Sequence, residues 1–207
     1  MEIEEAAGEA GGVESGAEFH RRRRRRERLL GLILLGCLLA SFGRAAHSAQ
    51  APPRDEYQVK AAFLFNFAKF VEWPTEAFPD GAAPLIIGVL GSDPFGATLD
   101  QTISGKSINN RQLVLRRLKA GQSPKGCHIL FICSSEGRRM AQILDGLRGA
   151  SVLTVGEIDR FAQQGGIIGF LTEENKVRFE INAAVAEHAR LKISSKLLAL
   201  AKTVRGR

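Results

Sequence analysis

The chain has 207 residues, 44% hydrophobic and 25% charged, with a formal net charge of +7. From Ala49 onward it carries 21 Lys and Arg against 15 Asp and Glu, a length that suits one globular domain with a proper core. Two histidines and two cysteines in that part, with no His pair at metal-ligand spacing and no visible repeat, exclude a metal framework and a repeat array.

Residues 1–20 are rich in Gly, Ala and Glu and show no periodicity, which predicts a disordered extension. Six arginines, Arg21 to Arg26, then precede the uncharged, Leu-rich run Leu29 to Phe42. A basic segment, a short apolar segment and a small-residue exit read as a secretory signal peptide. The apolar run's fourteen residues are too few for a membrane span, which needs about 20. The Leu-rich run explains the arginines, so nucleic-acid binding is not expected. Cleavage is placed near Ser48, because a cut after Ala51 would leave Pro52 next to it. Leu34-Leu35-Gly36-Cys37 imitates a lipoprotein signal, but only eight apolar residues precede the cysteine. Residues 1–48 are therefore expected to leave, and 49–56, with Pro52-Pro53, to form a linker.

Tyr57 to Trp73, YQVKAAFLFNFAKFVEW, predicts an amphipathic helix starting near Asp55 and stopped by Pro74. Gln58, Asn66, Lys69 and Glu72 share one third of its circumference, and Lys60 alone lies opposite, where its stem is expected to snorkel. Phe65 and Trp73 fall inside the polar strip. A covering loop would explain them, as would a partner-binding edge.

Leu85 to Leu90 reads as a strand buried on both faces. Asp93 is expected to cap a helix with Pro94 in its first turn, running to Ile103. Strands are expected at Gln112 to Leu118, Cys127 to Cys133 and Ser151 to Val155, and helices at Glu136 to Leu147 and Ile158 to Gln164. Ile167 to Leu171 and Val177 to Ile181 read as a hairpin, and Asn182 as the cap of a C-terminal helical region whose stripe reaches Val204. Leu191 to Ile193 is expected to break that region, with Ser194 or Ser195 capping its second half. The pattern is an α/β single-domain αβα sandwich, with a mixed, mostly parallel sheet ending in a hairpin and a C-terminal helical region.

No catalytic or cofactor site emerges. Gly105-Lys106-Ser107 lacks the first glycine of a P-loop, since that position is Asp100, and its flanking elements come in the wrong order. Gly88, Gly91 and Gly96 do not form a dinucleotide fingerprint and read as turn residues. Cys127 and His128 are adjacent on the expected strand and point to opposite faces, so they form no catalytic pair. Cys127 and Cys133 lie roughly 20 Å apart along the expected strand, on one face, and so form no disulfide. Cys133, at the strand's end, is expected to be the more reactive.

The first helix, together with GCHILFI (126–132), SVLTVGEIDRFAQQGGIIGF (151–170), VRFEIN (177–182) and LKISSKLLALAK (191–202), resembles the YfiR-like family of exported bacterial proteins. The resemblance covers residues 57–205 as one domain and implies an αβα sandwich. It also implies a periplasmic regulator, not an enzyme, that inhibits a membrane-bound diguanylate cyclase and lowers cyclic-di-GMP output. The alternative is a periplasmic ligand-binding sensor module for another membrane receptor, such as a histidine kinase. The candidate partner interface is Phe65, Asn66, Lys69 and Trp73 with Lys192, Ser194, Ser195 and Lys196. The same surface could serve a homodimer. Neither nucleic acid nor a membrane span of the processed chain is expected. At Arg190 the family usually has a small residue, commonly Gly, which puts a sharp helix break there in question.

Overall fold

Helix α1 (Arg54–Phe70) opens the part of the chain that the structure, a computed structural model, describes: residues 54–206. The expected leader and most of the linker lie outside it. Ala61, Leu64, Phe67 and Ala68 recur at helical spacing along α1 and are buried to 1% exposure or less, so this stripe docks on the sheet. The helix stops three residues before Trp73. Val71–Glu72 instead form a short strand, β1, paired antiparallel with Lys192–Ile193, β9. Pro74 pushes the preceding backbone toward extended geometry, and the ladder takes up hydrogen bonds that the helix would have made.

The main sheet contains β2 (Leu85–Leu90), β3 (Ser107–Ile108), β4 (Arg111–Leu118), β5 (Ile129–Ile132), β6 (Leu153–Gly156), β7 (Ile168–Glu173), β8 (Lys176–Asn182) and β10 (Thr203–Arg205). Their spatial order is β10-β8-β7-β6-β5-β2-β4-β3. Strands β4, β2, β5, β6 and β7 run parallel, and this 4-2-5-6-7 run has the flavodoxin-like doubly wound order. One core cluster joins α1, α2 (Ala97–Ile103), α4 (Ala183–His188) and α5 (Ser195–Leu200) to the sheet. A second cluster joins α3 (Met140–Asp145) and Phe161 to its other face. The layers are those of the expected αβα sandwich.

Several local expectations are corrected. Asp93 does not cap α2: its Oδ1 accepts from the Phe95 N–H in a tight turn, Oδ2 pairs with Arg117, and the helix starts after Gly96. The strand expected over 127–133 is only Ile129–Ile132. A turn closed by Cys127 N–H on the Pro124 carbonyl takes Cys127 out of the strand's alternation, so the two cysteines join opposite core clusters. Helix 136–147 is split into 3-10 turns, Ser134–Arg139, followed by α3. Residues 158–164 form successive turns rather than a helix. They carry Phe161, which is 1% exposed and packs where a Cβ on Gly156 would lie 2.6 Å from its ring.

The hairpin forms as expected and turns at Glu174 and Asn175, φ 49° and 58°, the left-handed pair of a two-residue turn. Asn182 caps α4 by accepting from Val185 N–H, and Ser194 caps α5 by accepting from Leu197 N–H. The helical stripe does not reach Val204, because residues 203–205 form a strand parallel to β8.

Candidate functional site

The β1–β9 ladder joins the two segments singled out in the sequence. Val71 faces Ile193, Glu72 faces Lys192, and Ser194 N–H donates to the Phe70 carbonyl at 2.9 Å. The end of α1 and the start of α5 thus form one seam. Lys69, Lys192, Ser195 and Lys196 are exposed on it, while Phe65, Asn66, Trp73 and Ser194 are half-buried. Lys69 Nζ lies 5.7 Å from the Phe65 ring centre. Lys106, from the loop after α2, lies 4.5 Å from the same ring. The loop cover considered for Phe65 is therefore partly real, and it adds a cation. Lys106 is far from this strip in the chain, and only the packing of α2 on α1 brings it there.

Trp73 is anchored rather than free. Its indole N–H donates to the His128 carbonyl at 3.1 Å, and part of the ring stays in solvent. The Ser194 hydroxyl is committed to the α5 cap, so what it offers a partner is position. With Lys69, Lys106, Lys192 and Lys196 against Glu72, the seam is basic with aromatic surface between the cations. That chemistry suits an acidic partner surface.

A second group of polar residues sits at the carboxyl ends of the parallel strands, where doubly wound sheets usually hold ligands. Lys60 does not snorkel as expected. It is 3% exposed, and its Nζ lies 2.6 Å from both Glu56 Oε1 and Glu157 Oε2. Tyr57 donates to Glu157 at 3.1 Å and stands beneath the ammonium group, 4.6 Å from ring centre to Nζ. Burial, then the Glu157 charge, holds the Tyr57 hydroxyl protonated well above its ordinary range. The wheel placed Lys60 alone in an apolar arc. Glu157, which pairs with it, is far off in the chain and invisible to periodicity.

Beside this cluster, the loops after β2 and β5 are tied together. Gly91 has φ 103°, a Cβ there would lie 2.5 Å from Ser135 Oγ, and Ser92 N–H donates to that oxygen at 3.0 Å. The loops that flank the β2–β5 crevice are thus bridged by the protein's own groups, and a cavity of about 290 Å³ stays open beside Tyr57, Lys60 and Glu157.

The remaining reactive residues are committed to the core. His128 is 4% exposed. Its Nδ1 accepts from Ile86 N–H at 3.0 Å and its Nε2 lies 3.1 Å from the Ala77 carbonyl, the pattern of a neutral, satisfied imidazole. Cys133 is not the activated thiol: burial, then the charges of Asp93, Glu157 and Glu136, push it up to about 12. Cys127 is also raised by burial, although the Arg116 guanidinium 2.9 Å away works in the opposite direction. Among the described residues no group of three or more His, Cys, Asp or Glu could hold a metal ion.

Strand order and layering thus define a doubly wound αβα domain whose basic, aromatic seam lies away from the carboxyl edge of the sheet. The chain belongs to the YfiR/HmsC-like family, whose model matches residues 57–202. No curated protein matches it.

Proposed function

We propose that this protein is a periplasmic regulator that binds the sensor region of an inner-membrane diguanylate cyclase and holds it inactive, lowering cyclic-di-GMP output. The observation that carries this reading is the family match across residues 57–202, because the family's regulatory members act in this way. The leader expected at residues 1–48 would export the chain. No described helix is long and apolar enough to cross a membrane, in keeping with a partner that supplies the anchor.

Inhibition of this kind needs no chemistry. A protein that binds the inactive cyclase a hundredfold better than the active one shifts the equilibrium by about 2.7 kcal/mol. The seam of Phe65, Asn66, Lys69 and Trp73 with Lys192, Ser194, Ser195 and Lys196 is the docking surface in this proposal. Deleting the gene in the native host should raise cellular cyclic-di-GMP, and restoring the exported protein should lower it again. Unchanged cyclic-di-GMP in the deletion strain, with the cyclase present, would contradict the reading.

A further inference from the structure

A cavity of about 710 Å³ lies at the opposite end of the sheet from the β2–β5 crevice, around the amino ends of β6 and β7. Its body is apolar, walled by Leu144 on α3, Ile167 before β7 and Val185 on α4. That volume falls within the usual range for small-molecule sites, about 300–1,000 Å³.

Two of the polar groups around it, Thr154 and Arg148, keep uncommitted donors. Thr154, 4% exposed, accepts from Ile167 N–H at 3.0 Å, and its own hydroxyl proton has no acceptor among the described residues. At the mouth, Arg148 places one guanidinium nitrogen 2.7 Å from Asp145 Oδ1. Both side chains are largely in solvent, so the pair is weak and leaves most of the guanidinium's five N–H donors available. The ring of His188 is fixed by Nδ1 on the Ala184 carbonyl at 2.6 Å, which turns Nε2 to other partners. Gln164 spends its amide N–H on the Asp159 carbonyl.

The geometry points to a small carboxylic acid with an apolar body as the ligand of this cavity. Its chain or ring would fill the space between Leu144 and Val185, and its carboxylate would take hydrogen bonds from Arg148 and Thr154. Doubly wound sheets usually bind at the other edge, but there Lys60 and Tyr57 are committed to Glu157, and Ser135 takes the Ser92 N–H. Free donors are left at this edge. Asp145 is the one acid among the described lining residues, and Arg148 pairs with it. The inference stands apart from the proposed regulation and would survive its failure.

Calorimetric titration of the purified protein with decanoate, below its micelle concentration, tests it. Decyltrimethylammonium, with the same chain and opposite charge, serves as control. Decanoate is expected to bind one per chain and at least tenfold more tightly than the cation. Arg148→Glu should weaken decanoate at least tenfold without changing the melting temperature, as should Arg148→Gln to a smaller degree. Absence of decanoate binding, equal binding of the two amphiphiles, or an affinity unchanged in Arg148→Glu would each overturn the inference.

Discussion

Val71 faces Ile193 across a ladder only two residues long, and the end of the first helix is thereby held against the segment that starts the last one. Opposite charges sit beside this pair, with Glu72 in register with Lys192. Positions from both ends of the domain become one surface, so a partner that reads either segment reads both.

Phe65 and Phe67 lie two residues apart on α1 but do different work. Phe67 is 0% exposed and packs on Phe170 and Phe179, so Phe67→Ala should cost roughly 3–5 kcal/mol. Phe65 is half-buried under Lys106, and Phe65→Ala should cost clearly less while weakening partner binding. Urea denaturation of the two variants makes the comparison. An equal loss of stability would make Phe65 a core residue and remove it from the docking surface.

Arg190 carries backbone strain. It stands at φ 58° just past α4, where its N–H donates to the Glu187 carbonyl and Leu191 N–H donates to the Ala186 carbonyl. That is the Schellman arrangement, whose left-handed position favours Gly. The break that the non-glycine residue put in question forms nonetheless. Arg190→Gly should therefore stabilise the fold by about 1 kcal/mol, seen as a higher denaturation midpoint at unchanged slope. A lower midpoint would show that the arginine side chain makes a stabilising contact larger than the strain.

Burial, opposed by the Ala77 hydrogen bond and assisted by the Arg111 charge, lowers the affinity of His128 for a proton. The folded state keeps it neutral, while the unfolded chain takes up a proton near pH 6.5. Its contribution to stability is thus complete above that value and is lost as the pH falls below it. Denaturation midpoints measured from pH 8 to pH 5 should decline below about 6.5, and His128→Leu should flatten that part of the curve. A wild-type profile that is level across this window would rule out a buried neutral His128.

Lys60 is surrounded by charges that need it. Truncation to Ala would leave Glu56 and Glu157 facing each other without a cation, which for buried pairs costs about 3–5 kcal/mol. Combining Lys60→Met with Glu157→Gln should recover much of that loss. If the double variant is as unstable as Lys60→Ala, packing by the lysine stem would be the main contribution, not its charge.

The parts of the fold legible in the sequence were those written in short-range pattern. LIIGVL is a continuous apolar run and becomes a central strand, and the alternation of Val177, Phe179 and Ile181 becomes the second arm of the hairpin. Capping by Asn182 and Ser194 is local chemistry and appears where the side chains predict it. What the sequence did not disclose depends on partners distant in the chain. Val71–Glu72 becomes a strand by pairing with Lys192–Ile193, and Thr203–Arg205 by pairing with the edge that β8 offers. The turn segment at 158–164 has helical periodicity, but Phe161 is drawn into the core above Gly156 and the helix does not form. For the seam, the aromatic and basic positions were visible one segment at a time. Their union, and the contribution of Lys106, required the packing of α1 and α2.

Titration of the purified protein against the isolated periplasmic region of the cyclase in its host tests the central claim most directly. Saturable binding is predicted, weakened at least tenfold by Lys69→Glu on one side of the ladder and to a similar degree by Lys192→Glu on the other. Both substitutions fall on exposed residues and should leave the melting temperature unchanged. Binding that neither reversal alters would contradict the account of the surface, and no binding at any accessible concentration would contradict the account of the function.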